Sequence, residues 1–162
     1  NPWGLSFDSV TGHLWCADVG EHLWEEINKV DKGANYGWSD RDGPTKSIFH
    51  QESFKSPIPL TEPVHAYSRM RGEGICIVGG VVYRGSGMPS LNGAFIFADW
   101  GYGTVWALQT DPQSGEAVRR LVLHRNTQGE KFNPTLITTD ATGEPILLSQ
   151  EGNLYQIQDE SD

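Results

Sequence analysis

GHLWCADVG, residues Gly12–Gly20, returns as GAFIFADWG at Gly93–Gly101. Both stretches leave a glycine, run through a short apolar segment, reach Ala-Asp, and pass one large residue to a second glycine. A weaker copy, GEPILLSQEG at Gly143–Gly152, keeps the glycines and the apolar run but has Ser149 in place of the aspartate. Each copy is followed by a second strand-like run: EEINKV, TVWALQTD and NLYQIQ. Each unit therefore reads as a β-hairpin that starts out of a glycine turn. At the strand end, Asp18 or Asp99 is placed to accept hydrogen bonds from backbone N–H groups of the next turn. The functional reading beside it is a strand-end carboxylate facing a shared rim and binding a cation.

Helical periodicity is nearly absent, and strand-like runs fill the chain: Trp3–Phe7, His13–Ala17, Glu26–Val30, Val64–Ser68, Cys76–Arg84, Ala94–Ala98, Thr104–Gln109, Ala117–His124, Thr135–Thr139, Pro145–Leu148 and Leu154–Ile157. Turn-rich segments separate them, in keeping with 19 glycines and 9 prolines in 162 residues. Once the long polar stretch in the first interval is set aside, the repeat approaches the about 40–50 residues of a propeller blade. The reading is an all-β chain of roughly three blades, with units at 1–38, 64–124 and 132–158 and a loop insertion at 39–63. An arc of three blades leaves two blade faces bare, because a blade buries its faces only against neighbours. The remaining blades are expected from the same parent protein or from another chain, and the opening Asn1-Pro2-Trp3 reads as the middle of a motif in a longer or processed protein.

The formal net charge of -9 and the lack of a basic patch argue against nucleic acid. No apolar run has the roughly 18 residues of a membrane helix, so membrane insertion is not expected. Cys16 and Cys76 form no CxxC pair and sit in apolar strands, which favours buried free thiols over a disulfide. No Ser-His-Asp, P-loop or HExxH pattern is present.

NPWGLSFDSVTGHLWCADVGEHLWEEINKVDKGANYGW, followed by IVGGVVYRGSGMPSLNGAFIFADWGYGTVWAL, resembles the glucose/sorbosone dehydrogenase family. EEIN…KGANYGW and GGVVYRG…LNGAFIFADW carry most of the likeness, which extends over nearly the whole chain and matches the C-terminal half of the family's domain. The resemblance implies a six-bladed β-propeller. In the family's enzymes, pyrroloquinoline quinone (PQQ) lies over the central end, Ca²⁺ bridges it to backbone carbonyls, and a histidine takes the proton of a sugar hydroxyl. Hedgehog-interacting proteins share the domain.

The resemblance implies that Asn1 and Arg84 contact the cofactor, with Trp3 at a glutamine position and Lys131, in KFNP, standing where the enzymes carry a pair of arginines; a strand-end arginine paired to an acid is the equal alternative for Arg84. Gly20 matches a glycine whose carbonyl ligates Ca²⁺. Glu21, beside it, and Glu26 are added as acidic metal candidates. Glu25 and Glu26 match an acidic pair; adjacent strand residues point to opposite faces, so one is expected to face the axial site and the other solvent. The catalytic histidine falls in an earlier blade, and none of His13, His22, His50, His65 or His124 matches it, so no catalytic residue is assigned. The expected function is part of a PQQ-dependent sugar or polyol dehydrogenase-like propeller, periplasmic or extracellular. The alternative is a non-catalytic propeller that binds protein or carbohydrate.

Overall fold

The computed structural model describes residues 1–50 and 57–158. Its strands are β1 (Pro2–Phe7), β2 (Leu14–Val19), β3 (Trp24–Val30), β4 (Arg41–Asp42), β5 (Thr45–Lys46), β6 (His65–Ser68), β7 (Ile77–Val82), β8 (Phe95–Asp99), β9 (Val105–Thr110), β10 (Ala117–His124), β11 (Pro134–Thr139), β12 (Pro145–Ser149) and β13 (Leu154–Gln156). All pairing among them is antiparallel. Every strand-like run of the sequence overlaps one of these strands, with ends displaced by up to two residues. The β4–β5 hairpin was not foreseen; it forms within the 39–63 insertion, and residues 51–56 of that insertion lie outside the described residues.

The strands make separate sheets of order β1-β2-β3-β6, β10-β9-β8-β7 and β11-β12-β13, besides the small β4-β5 pair. The two Ala-Asp strands, β2 and β8, thus belong to different sheets. β6, grouped above with the second unit, pairs with β3, so the first sheet takes its outer strand from beyond the insertion. The inner strands stand side by side, β1 against β7 and β7 against β11. These are consecutive blades of a propeller arc.

Alternation within AFIFA explains how the middle sheet buries both faces. Phe95 and Phe97 point to the first sheet with Trp106 and Leu108, where they meet Trp15, Ala17, Ile27 and Tyr67. Ile96 and Ala98 point the other way, toward Phe132, Ile137 and Leu147. Trp15 stacks on Phe95 at 5.0 Å and Phe97 on Trp106 at 5.1 Å, so the first interface is an aromatic ladder. The other face of the first sheet carries Trp3, Leu5 and Phe7, all exposed.

At the inner seam two glycines touch. A Cβ on Gly79, which sits at φ +105°, would lie 3.0 Å from the Gly4 Cα. Gly79→Ala combines this overpacking with a left-handed backbone disfavoured for any side chain. It is expected to cost about 2–4 kcal/mol in urea unfolding of the protein carrying this chain. A loss under about 1 kcal/mol would mean the seam yields easily.

Both thiols are free. Cys16 is buried, and burial pushes its thiol up to about 11, which makes it a packing residue.

Candidate functional site

Antiparallel order puts the start of β1, the end of β2 and the start of β3 at one rim of the arc. There a cavity of about 820 Å³ is lined by Asn1, Gly20, Glu21 and Glu26, together with Asp18, Tyr36, Trp38, Arg41 and Asp42. Four of the sequence candidates therefore converge. Trp3, Arg84 and Lys131 do not line this cavity.

Gly20 is glycine for close approach: a Cβ would lie 1.6 Å from the Trp24 carbonyl oxygen. Its own carbonyl accepts a hydrogen bond from Arg69 Nη2 at 2.8 Å. Glu21 turns toward the insertion, where its carboxylate meets His50 Nε2 at 3.2 Å and Ser47 Oγ at 3.4 Å.

The acidic pair divides as strand geometry requires, but both members are buried, and only Glu26 keeps a small accessible remnant, at the cavity. Glu25 faces the second sheet and is 0% exposed; it pairs with Arg69 and accepts the Ile77 N–H at 2.9 Å. Burial pushes its carboxyl up to about 7. Glu26 faces the other way, opposite Asp18, and is covered at the 34–43 segment. It accepts a hydrogen bond from Asn28 Nδ2 at 3.2 Å. Burial raises its pKa, and the nearby Asp18 and Asp42 charges add to the rise. The expectation of one solvent-facing glutamate fails because the adjoining blade caps one side of β3 and the insertion caps the other.

Arg84 lies at the opposite rim, past the end of β7. It forks onto Asp8, Nε to Oδ1 at 2.8 Å and Nη2 to Oδ2 at 2.7 Å, and reaches Asn92 Oδ1 at 3.1 Å. Its guanidinium holds the Asp8 carboxyl far below the usual carboxylate range. It thus locks the first blade to the second, away from Asn1 and Gly20. Lys131 is exposed on the connection before β11, and Trp3 is 64% exposed on the bare face of the first sheet. His65 lies on the outermost strand, not at the axis; burial, helped by the Arg120 charge, pulls its pKa down to about 4.

The sequence reading missed Asp42, Tyr36, Trp38 and Arg41. Asp42 is buried in the β4–β5 hairpin; its Oδ2 accepts the N–H groups of His22 at 3.1 Å and Leu23 at 2.7 Å. Its Oδ1 has no hydrogen-bond partner among the described residues and would lie 2.8 Å from a Cβ on Gly20. The hairpin is held by Trp24, whose indole N–H donates to Thr45 Oγ1 at 3.0 Å and whose ring fills the space beside Gly43. The available signal was RDGPT, a turn sequence between polar residues.

The cavity is rich in acceptors and poor in free cations. Asp18 and Glu26 are the acceptors along its wall, while the nearby Arg41 donates to the Pro44 carbonyl at 3.0 Å. Calcium at the candidate residues does not fit well: the Gly20 carbonyl faces a guanidinium, and Glu21 is turned away. Among the described residues no three His, Cys, Asp or Glu side chains gather into a metal cluster. Nor do the PQQ candidates gather, since Asn1, Arg84 and Lys131 stand apart.

The family model for glucose/sorbosone dehydrogenase matches residues 1–130. The chain belongs to the glucose/sorbosone dehydrogenase family. The HIPL1 protein of Arabidopsis thaliana is 37% identical over 133 residues, covering 74% of this chain and 19% of that protein. HIPL2 of the same plant is 31% identical over 158 residues, covering 91% and 22%. The chain thus spans about a fifth of these relatives. Among solved structures, the soluble aldose sugar dehydrogenase of Escherichia coli in its apo form superposes with a TM-score of 0.69 at 19% identity, over 98% of this chain and 44% of that one. The PQQ-bound aldose sugar dehydrogenase of Streptomyces coelicolor gives 0.68 at 16%, over 98% and 43%. At these identities the superpositions establish the fold: this glucose/sorbosone dehydrogenase-family chain is part of a β-propeller. No helix among the described residues is long and apolar enough to cross a membrane.

Proposed function

We propose that this chain contributes a sugar- or polyol-binding rim to a family propeller that recognises carbohydrate without oxidising it. The observation that carries the reading is one cavity in which Asp18 and Glu26 are carboxylate acceptors and Tyr36 and Trp38 are the aromatic lining. Polyol hydroxyls supply the donors such a wall lacks, and a sugar's C–H face packs on an aromatic ring. The two HIPL relatives and the scattered cofactor candidates favour recognition over PQQ-dependent dehydrogenation. Further blades, from the same protein or another chain, cover Trp3, Leu5 and Phe7, and the protein works in the periplasm or outside the cell.

Calorimetric titration of neutral sugars and polyols into the protein carrying this chain tests the reading. Binding is expected, weakened at least about tenfold by Asp18→Asn and by Trp38→Ala, the size of one lost polar or aromatic contact. No binding across the panel overturns it. Dye-linked sugar oxidation after addition of PQQ and Ca²⁺ overturns it in favour of the dehydrogenase.

A further inference from the structure

A second cavity, of about 460 Å³, opens between the first and second sheets at the rim opposite Gly20. Its volume falls within the roughly 300–1,000 Å³ of small-molecule sites. Lys29 enters it from β3. Register pairs Lys29 with Trp15, and Trp15 packs against the second sheet, so both side chains face the cleft. Among the described residues the Lys29 ammonium has no ion pair or hydrogen bond, although acids line the same cleft.

The acids near it are engaged elsewhere. Asp8 is forked by Arg84, a pair that is neutral as a unit. Asp111 uses Oδ1 to accept the N–H groups of Gln113 at 2.9 Å and Ser114 at 2.8 Å. The opposite wall is cut back by glycine. Gly115, at φ +75° in the β9–β10 turn, would place a Cβ 2.9 Å from Lys29 Nζ, so the missing side chain is what makes room for the ammonium. Neutral groups outnumber free charges around this point. Asn92 accepts from Arg84 with its oxygen and keeps its amide N–H groups, and Gln109 donates to the Ser90 carbonyl at 3.2 Å and keeps its oxygen.

We propose that this interblade cleft is a binding site for a sugar acid, with Lys29 as the carboxylate anchor and Asp111, Asn92 and Gln109 as hydroxyl partners. A lone inorganic anion would use Lys29 but leave the neutral groups and the Asp111 acceptor unmatched. A neutral sugar would leave the ammonium unmatched. A hexuronate satisfies both sets, because its carboxylate stands beside a run of hydroxyls. The site is separate from the rim cavity and does not depend on the function proposed for it.

The test titrates galacturonate, galactose and inorganic sulfate into the protein carrying this chain, read by calorimetry and by change in melting temperature. Galacturonate is expected to bind at least about tenfold more tightly than galactose or sulfate, the size of one charge-assisted hydrogen bond. Lys29→Gln is expected to remove that preference, Lys29→Arg to keep it within about threefold, and Gly115→Val to weaken it by crowding the ammonium. Lys29→Gln protein that melts as the wild type does, with an unchanged urea midpoint, shows that the fold survives. No galacturonate binding, equal binding of sulfate, or binding untouched by Lys29→Gln in folded protein overturns the proposal.

Discussion

Asp99→Ala is expected to lower unfolding stability by more than about 4 kcal/mol, in the range reached only when a buried network is broken. Asp99 is fully buried. Its Oδ2 accepts the Tyr67 hydroxyl at 2.9 Å and the N–H groups of Ile75 at 2.8 Å and Cys76 at 2.7 Å. Its Oδ1 accepts the N–H groups of Gly101 at 2.9 Å and Tyr102 at 3.0 Å. One carboxylate thus ties the β8–β9 turn to the approach to β7 and to the outer strand of the preceding blade. Each buried donor left without a partner costs about 1–3 kcal/mol; water reaching the turn recovers part of this. Space is reserved for the carboxylate, since a Cβ on Gly74 would lie 2.4 Å from Oδ2. Asp99→Asn should also destabilise, because its amide N–H groups face other donors. Urea midpoints with unchanged slopes measure the effect. An Asp99→Ala variant within about 1 kcal/mol of wild type would show that the network is ornamental.

Arg69→Met is expected to cost about 3–5 kcal/mol at pH 8, since it strands a buried carboxylate. Glu25 also gives the loss a pH signature. Its folded-state pKa of about 7 lies above the ordinary 4.5. Between those values the folded chain therefore binds more protons than the unfolded one, and stability contributed by this group falls as pH rises through the window. Removing the guanidinium lifts the carboxyl further, so the Arg69→Met penalty should be larger at pH 8 than at pH 5. Glu25→Gln should flatten the slope between about pH 5 and 7. Unfolding free energies measured across pH 5–8 decide the matter: an Arg69→Met penalty independent of pH, or an unaltered slope in Glu25→Gln, would remove Glu25 as its source.

The hairpins were legible because their signal is local. Glycine, alternating apolar residues and Ala-Asp lie within nine residues of one another, and AFIFA announces a strand buried on both faces. What was illegible depends on partners far along the chain. Arg84 carries a charge suited to a cofactor carboxylate or to a protein acid, and only the fold shows that the acid is Asp8, across a blade interface. Glu25 and Glu26 are indistinguishable by residue type; the first is capped by Ile77 and Arg69, the second by a segment of the insertion. β6 resembles the opening strand of a new unit but completes the previous sheet, because β3 presents the free edge after the insertion. Asn1, Gly20, Glu21 and Glu26 do share one cavity. Asp42, which also lines it, comes from a two-residue strand too short to carry a periodic signal.

The repeated Ala-Asp has come to mean different things in its two copies. Asp99 is saturated by five donors, whereas Asp18 lines the rim cavity with its side chain 24% exposed. The same carboxylate is tied into the scaffold in the second blade and open to the rim in the first. A change at position 99 therefore strikes the framework, while a change at position 18 alters only the chemistry of the mouth.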